Sequence, residues 1–153
     1  MNRTGCAALI ALSISAFAGA SLAEDAASIA QARHEHFKQI GAAMKGLSDE
    51  LKTPAPSLVQ VRGYTQRLDE LAPQLPSWFP AGSGPAAGIK THAKAEVWQK
   101  PAEFTKDAAA FALEAHKINA AAVRGDLAAV AAEAPALGQT CKTCHMAFRQ
   151  KED

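Results

Sequence analysis

LAAVAAEAPALGQTCKTCHMAF, residues 127–148, carries a row at alternating steps of three and four: Leu127, Val130, Ala134, Leu137, Cys141, Cys144 and Phe148. That spacing places the row on one seam of a helix packed against near-parallel neighbours. Working outward, three more segments repeat the pattern. Phe104, Ala108, Phe111, Ala115, Ile118 and Ala122 form one row. Leu58, Val61, Thr65, Leu68, Ala72 and Leu75 form a weaker one. Ala30, Arg33, Phe37, Ile40, Met44, Leu47 and Leu51 form the last, with one charged member. Four rows imply four helices.

β-branched residues are sparse, no alternating strand pattern occurs, and there is no Asn-Gly or Asp-Gly hairpin signal. The expected fold is therefore all-α, an antiparallel up-down four-helix bundle. The breaks Thr53-Pro54-Ala55-Pro56 and Arg124-Gly125-Asp126 are short, as antiparallel neighbours require. A long loop, Pro73 to Pro101, joins helices 2 and 3 and is rich in Pro and Gly, with Trp78, Phe79 and Trp98 as its expected tethers. Pro135 falls inside the fourth row and predicts a kink or a late start there.

The chain has 153 residues, with Lys+Arg 16 against Asp+Glu 15. That balance excludes the electrostatic capture of a phosphate backbone on which nucleic-acid binding depends. The N-terminus has the form of a secretory signal over residues 1–23: Arg3, an apolar run from Ala7 to Ala18, then Ser21-Leu22-Ala23 ahead of Glu24 and Asp25. The run is shorter than the roughly 20 residues of a spanning helix, so a soluble exported domain, residues 24–153, is expected and no membrane partner. Of the mature residues 29 are alanine, which favours helix and close helix approach. Cys6 leaves with the leader, and only Cys141 and Cys144 remain.

Cys141-Lys142-Thr143-Cys144-His145 matches the pattern for covalent haem attachment. Residues three and four apart share one helix face, so both thiols and the imidazole can approach one edge of a flat ligand. The thiols would add to the vinyl groups as thioethers, and His145 would ligate the iron from the same side, making one haem c the cofactor. Other uses of the motif fit less well. A zinc site needs a fourth ligand, from His34, His36, His92 or His116. A thioredoxin-type pair wants a strand leading into a helix. A structural disulfide gives the adjacent histidine no role. A haem-free helical module with a zinc-bound or disulfide-bonded pair thus stands as the alternative of another class.

A four-helix pattern with this motif near the C-terminus, followed by Phe148 and Arg149, resembles the class II cytochromes c, above all cytochrome c′. Arg33 to Gly41, continuing to Met44-Lys45, is similar to the family's opening segment; so are Leu75 to Gly82 and Lys94 to Trp98. The likeness covers essentially the whole mature chain. It implies a periplasmic haem protein that binds nitric oxide or carbon monoxide, exchanges electrons with a redox partner the sequence does not identify, and often forms a homodimer through its first two helices. No nucleophile–base pair or carboxylate couple is placed for turnover, so an enzyme is not expected.

In low-spin relatives a Met on the first helix completes the iron's coordination, whereas cytochrome c′ carries a bulky apolar residue there, and the resemblance puts Phe37 at that position. A phenyl ring has no lone pair to give. Met44 lies about 10 Å further along the helix and is expected to pack deeper; Met146 adjoins His145 and cannot reach the opposite face. The expectation is five-coordinate, high-spin iron. Its rival is a six-coordinate, low-spin electron carrier with His34 or another side chain on the metal. His36, about 100° round the helix from Phe37, is expected at the surface. Arg33 in an apolar row needs a partner, and a haem propionate is the natural candidate. Thr91 and His92 match family positions near the haem. Arg149 is placed either to cover the proximal face or to act as a solvated C-terminal cation.

Overall fold

The computed structural model describes residues 18–151, with side chains from residue 25 onward. Most of the predicted leader, including Arg3 and Cys6, lies outside the described residues. Helix α1 runs Ala18–Glu50, α2 Leu58–Leu71, the short α3 Glu96–Gln99, α4 Pro101–Val123 and α5 Leu127–Phe148. The four long helices are those of the bundle, and no strand occurs among the described residues. Chain order and neighbour order coincide for α1 with α2 and for α4 with α5, and α2 lies against α4. The all-α, up-down arrangement expected from the spacing is what forms.

Local chemistry sets the boundaries. The Ser57 hydroxyl accepts from the Gln60 amide at the start of α2, and the Asp126 carboxylate accepts from the Ala129 amide at 2.9 Å at the start of α5. Gly125, at φ 79°, supplies the left-handed residue that lets α4 stop and α5 begin two residues later. Helix α5 is regular from Leu127 and continues through Pro135, so the late start does not occur. Pro135 is exposed, and the carbonyl its ring deprives of a donor, that of exposed Ala131, is within reach of water.

The long loop is less irregular than its Pro and Gly content suggests. Two 3-10 segments, Ala72–Trp78 and Pro85–Ala87, precede α3. Its aromatics tether it as expected: Trp78 is buried, Phe79 meets Phe104 and Trp98 edge-on, and the Trp98 indole donates to the Pro80 carbonyl at 3.0 Å. Gly84 is where the backbone passes the Trp98 ring, and a Cβ there would lie 2.8 Å from it. The end of the loop is fastened to the end of α5 by an isolated antiparallel bridge, Ala93 to Arg149, in which the Lys94 amide donates to Phe148 and the Gln150 amide to His92.

Burial along the rows differs by helix. Every member of the α4 row is buried, as is every member of the second row except Leu58. In α1 and α5, by contrast, Phe37, Met44, Cys141 and Cys144 are only half-buried. These four line a cavity between α1 and α5, which scarcely touch each other. The bundle is thus closed on three sides and hollow on the fourth.

Candidate functional site

The cavity measures about 1050 Å³, at the upper end of the ~300–1,000 Å³ usual for ligand clefts. All nine residues picked out from the sequence line it: Arg33, His34 and Phe37 from α1, Thr91 and His92 from the loop, and Cys141, Cys144, His145 and Arg149 from α5 and its end. Residues 58 positions apart in the chain, Arg33 and Thr91, meet at 3.1 Å.

The α5 wall presents the chemistry of attachment. Cys141 and Cys144 are free thiols, one helical turn apart, on the cavity side. Burial, then the nearby Asp107 charge and Cys141, push the Cys144 thiol up to about 11, and burial raises Cys141 as well. Burial, with Arg149 adding to it, holds His145 below the ordinary histidine range, which favours the neutral imidazole that a metal requires. Two thiols and a neutral ring on one face of a helix, opening into a large cavity lined mainly by apolar side chains, fit a haem bound through two thioethers and one axial nitrogen. Among the described residues no group of three or more His, Cys, Asp or Glu is gathered to hold a metal ion directly.

The α1 wall is aromatic. Phe37 meets Trp78 at 5.6 Å and Phe79 at 6.1 Å between ring centroids, both edge-on. Met44 reaches the cavity too, rather than packing deeper; seven residues is about two helical turns, which returns it to the face of Phe37. His34 lines the cavity but is exposed. His36 does not line it, and it is not the surface residue expected: it is half-buried, its ring stacked on Trp78 at 4.6 Å. The flat indole of the loop offers more contact than water does, a tertiary effect that periodicity cannot show.

Arg33 is 4% exposed and is satisfied by protein groups. Its terminal nitrogens donate to the Trp78 carbonyl at 3.1 Å, the Ser83 hydroxyl at 3.1 Å, the Ser83 carbonyl at 3.0 Å and the Thr91 hydroxyl at 3.1 Å. Its guanidinium carbon lies 4.6 Å from the Phe79 ring centroid and 5.6 Å from that of Trp98. The partner the sequence demanded is therefore the long loop. Every acceptor is uncharged, so the guanidinium keeps an uncompensated charge in the cavity wall even though burial lowers its pKa.

Sequence reasoning missed three contributors. Ser83, fully buried, is the hub of the Arg33 contacts. Lys90 lines the cavity mouth, and Asp107 is the one carboxylate among the lining residues. Asp107 was findable as a charged residue three after Phe104, beside the α4 row; a serine among glycines and prolines carries no such signal.

Comparison with known proteins agrees with this geometry. The sequence profile of the family described as Cytochrome C′ matches residues 28–149. Cytochrome c′ of Pararhodospirillum photometricum is 39% identical over 119 residues, 77% of this chain and 93% of that protein. The crystal structure of cytochrome c′ from Thermochromatium tepidum superposes with a TM-score of 0.76 at 23% identity, over 82% of this chain and 97% of that one, which bears on the fold. A nitric oxide complex of a leucine-to-isoleucine variant of cytochrome c prime from Alcaligenes xylosoxidans is 27% identical, with a TM-score of 0.73 over 84% of this chain and 97% of that one. The chain belongs to the cytochrome c′ family, and its cofactor is covalently attached haem c.

Proposed function

We propose that this protein is a periplasmic haem protein whose iron is five-coordinate and high-spin and binds nitric oxide or carbon monoxide on the α1 side, with electron exchange as a second capacity. The observation that carries the reading is the opposition of the two cavity walls: thiols and imidazole on α5, and on α1 the phenyl ring of Phe37. Cys141 and Cys144 would anchor the haem, His145 would be the metal ligand, and Arg33, His34, Thr91, His92 and Arg149 would surround its edge. Bound haem supplies an iron that takes up a small uncharged ligand or one electron. Phe37 sterically restricts the open side, so diatomics that can displace a ring enter and larger molecules do not. The nitric oxide complex of the Alcaligenes protein supports the ligand class. The predicted leader and cleavage after Ala23 support export. No helix among the described residues is long and apolar enough to cross a membrane. A homodimer through α1 and α2 is part of the same reading, and sedimentation of the purified protein tests it.

Absorption and resonance Raman spectra of the ferric and ferrous protein decide the central point. High-spin bands are expected, with a new band on adding nitric oxide; purely low-spin bands in both states overturn the reading. A six-coordinate electron carrier is favoured by one observation, the reach of Met44 into the cavity. Met44→Leu separates the two: no spectral change is expected here, whereas a thioether ligand would be lost.

A further inference from the structure

The rings beside Phe37 are not held alike. Phe79 is pinned by Phe104 at 4.8 Å and Trp98 at 5.9 Å between ring centroids, and the Arg33 guanidinium carbon lies 4.6 Å from its own centroid. Trp78 is fixed at its backbone, where the carbonyl accepts from Arg33 at 3.1 Å. Its indole has two aromatic neighbours among the described residues, Phe37 and His36. Phe37 meets it edge-on, at an interplanar angle of 85°, whereas His36 lies flat against it at 4.6 Å and 18°. Consecutive residues of a helix point about 100° apart, so the two reach the same indole from different sides.

That contact is what seats the His36 ring. Its Nδ1 is buried and, among the described residues, is the one such side-chain nitrogen or oxygen that lacks a hydrogen-bond partner. Buried polar atoms are nearly always paired, so an imidazole here costs stability that a carbon ring would not. His36 does not line the cavity, so whatever it does for a molecule entering there it does through Trp78.

We propose that His36 is a positioning residue: by stacking on Trp78 it holds the indole against Phe37, and so sets how readily the phenyl ring yields to a diatomic ligand entering on the α1 side. The inference rests on the proposed function, a haem iron open on that side, and adds what regulates entry there. A ring displaced by an incoming molecule has to push on its neighbours, because protein interiors are close-packed. Phe79 is locked by Phe104, Trp98 and Arg33. The Trp78 indole is the neighbour that can give, and His36 covers the face through which it would do so. A change at His36 therefore alters the rate of entry and leaves the ligands of the iron as they are.

The test follows carbon monoxide rebinding to the haem-loaded ferrous protein after flash photolysis. His36→Ala should speed association about fivefold, the factor that corresponds to ~1 kcal/mol for one aromatic contact. His36→Phe restores a flat ring and should return the rate to that of the unaltered protein. His36→Leu fills the space without a flat face and should stay fast. Near-ultraviolet circular dichroism of the indole should change with Ala and Leu and recover with Phe, while the haem absorption of the unliganded protein stays the same in all three. His116→Ala, at an exposed histidine paired with Asp69, should leave the rate unchanged. Leu and Phe both remove the unpartnered nitrogen, so these two carry the test if the Ala variant does not fold. Equal rates in the Leu, Phe and unaltered proteins, or rates that track stability in urea and not the flat ring, overturn the proposal. An unaltered protein that shows purely low-spin bands or takes up no carbon monoxide is a failure of the proposed function instead, and is seen before any variant is made.

Discussion

Replacing Phe37 by alanine removes the ring that meets Trp78 and Phe79 and enlarges the α1 side of the cavity. The expected outcome is faster carbon monoxide association, measured by flash photolysis, together with a stability loss of about 2 kcal/mol in urea, roughly half that of a fully buried Phe→Ala change because the side chain is half-buried. Arg33→Met should be costlier. It leaves the Trp78 and Ser83 carbonyls without their donors, and a loss of about 3 kcal/mol in urea unfolding is expected. Asp107→Asn takes away the one carboxylate lining the cavity. Since a negative charge favours the ferric state, the reduction potential measured by spectroelectrochemistry should rise. Residue identity was legible wherever chemistry requires a particular side chain: Cys141, Cys144 and His145 announce themselves by type and spacing. The partner of Arg33 was not legible. Row position shows that a guanidinium is buried, but which acceptors reach it depends on how a loop fifty residues away folds back.

Helix by helix, the periodic rows located the four long elements, since rows at three and four are a direct record of what packs inside. They could not show that the α1 and α5 rows face a hollow, because a side chain against a ligand and one against another helix follow the same periodicity. The loop was the least legible element: its 3-10 segments, Ala72–Trp78 and Pro85–Ala87, are seven and three residues long, too short to leave a repeat, and their order depends on Trp78, Phe79 and Trp98 packing. Two changes test the boundaries. Asp126→Ala removes the carboxylate that accepts from Ala129 and should cost about 1 kcal/mol in urea unfolding. Gly84→Ala forces a Cβ to 2.8 Å from the rigid Trp98 ring and should cost about 2 kcal/mol, with a change in Trp fluorescence that reports the displaced indole.

Across the whole molecule, three of the bundle's four sides close by side-chain packing, and the fourth is bridged by the Arg33 contacts and by the pairing of Ala93 with Arg149. That pairing has a mechanical consequence. The final turn of a C-terminal helix ordinarily frays on its own, at little free-energy cost. Here the amides of Lys94 and Gln150 are held across the joint between mid-chain and tail, so neither strand of that joint can open while the other stays shut. Hydrogen exchange should find the two amides leaving protection together, as one cooperative unit. The wall that carries the thiols is then released only when the loop lets go, which makes a clasp of what looks, on paper, like a loose end.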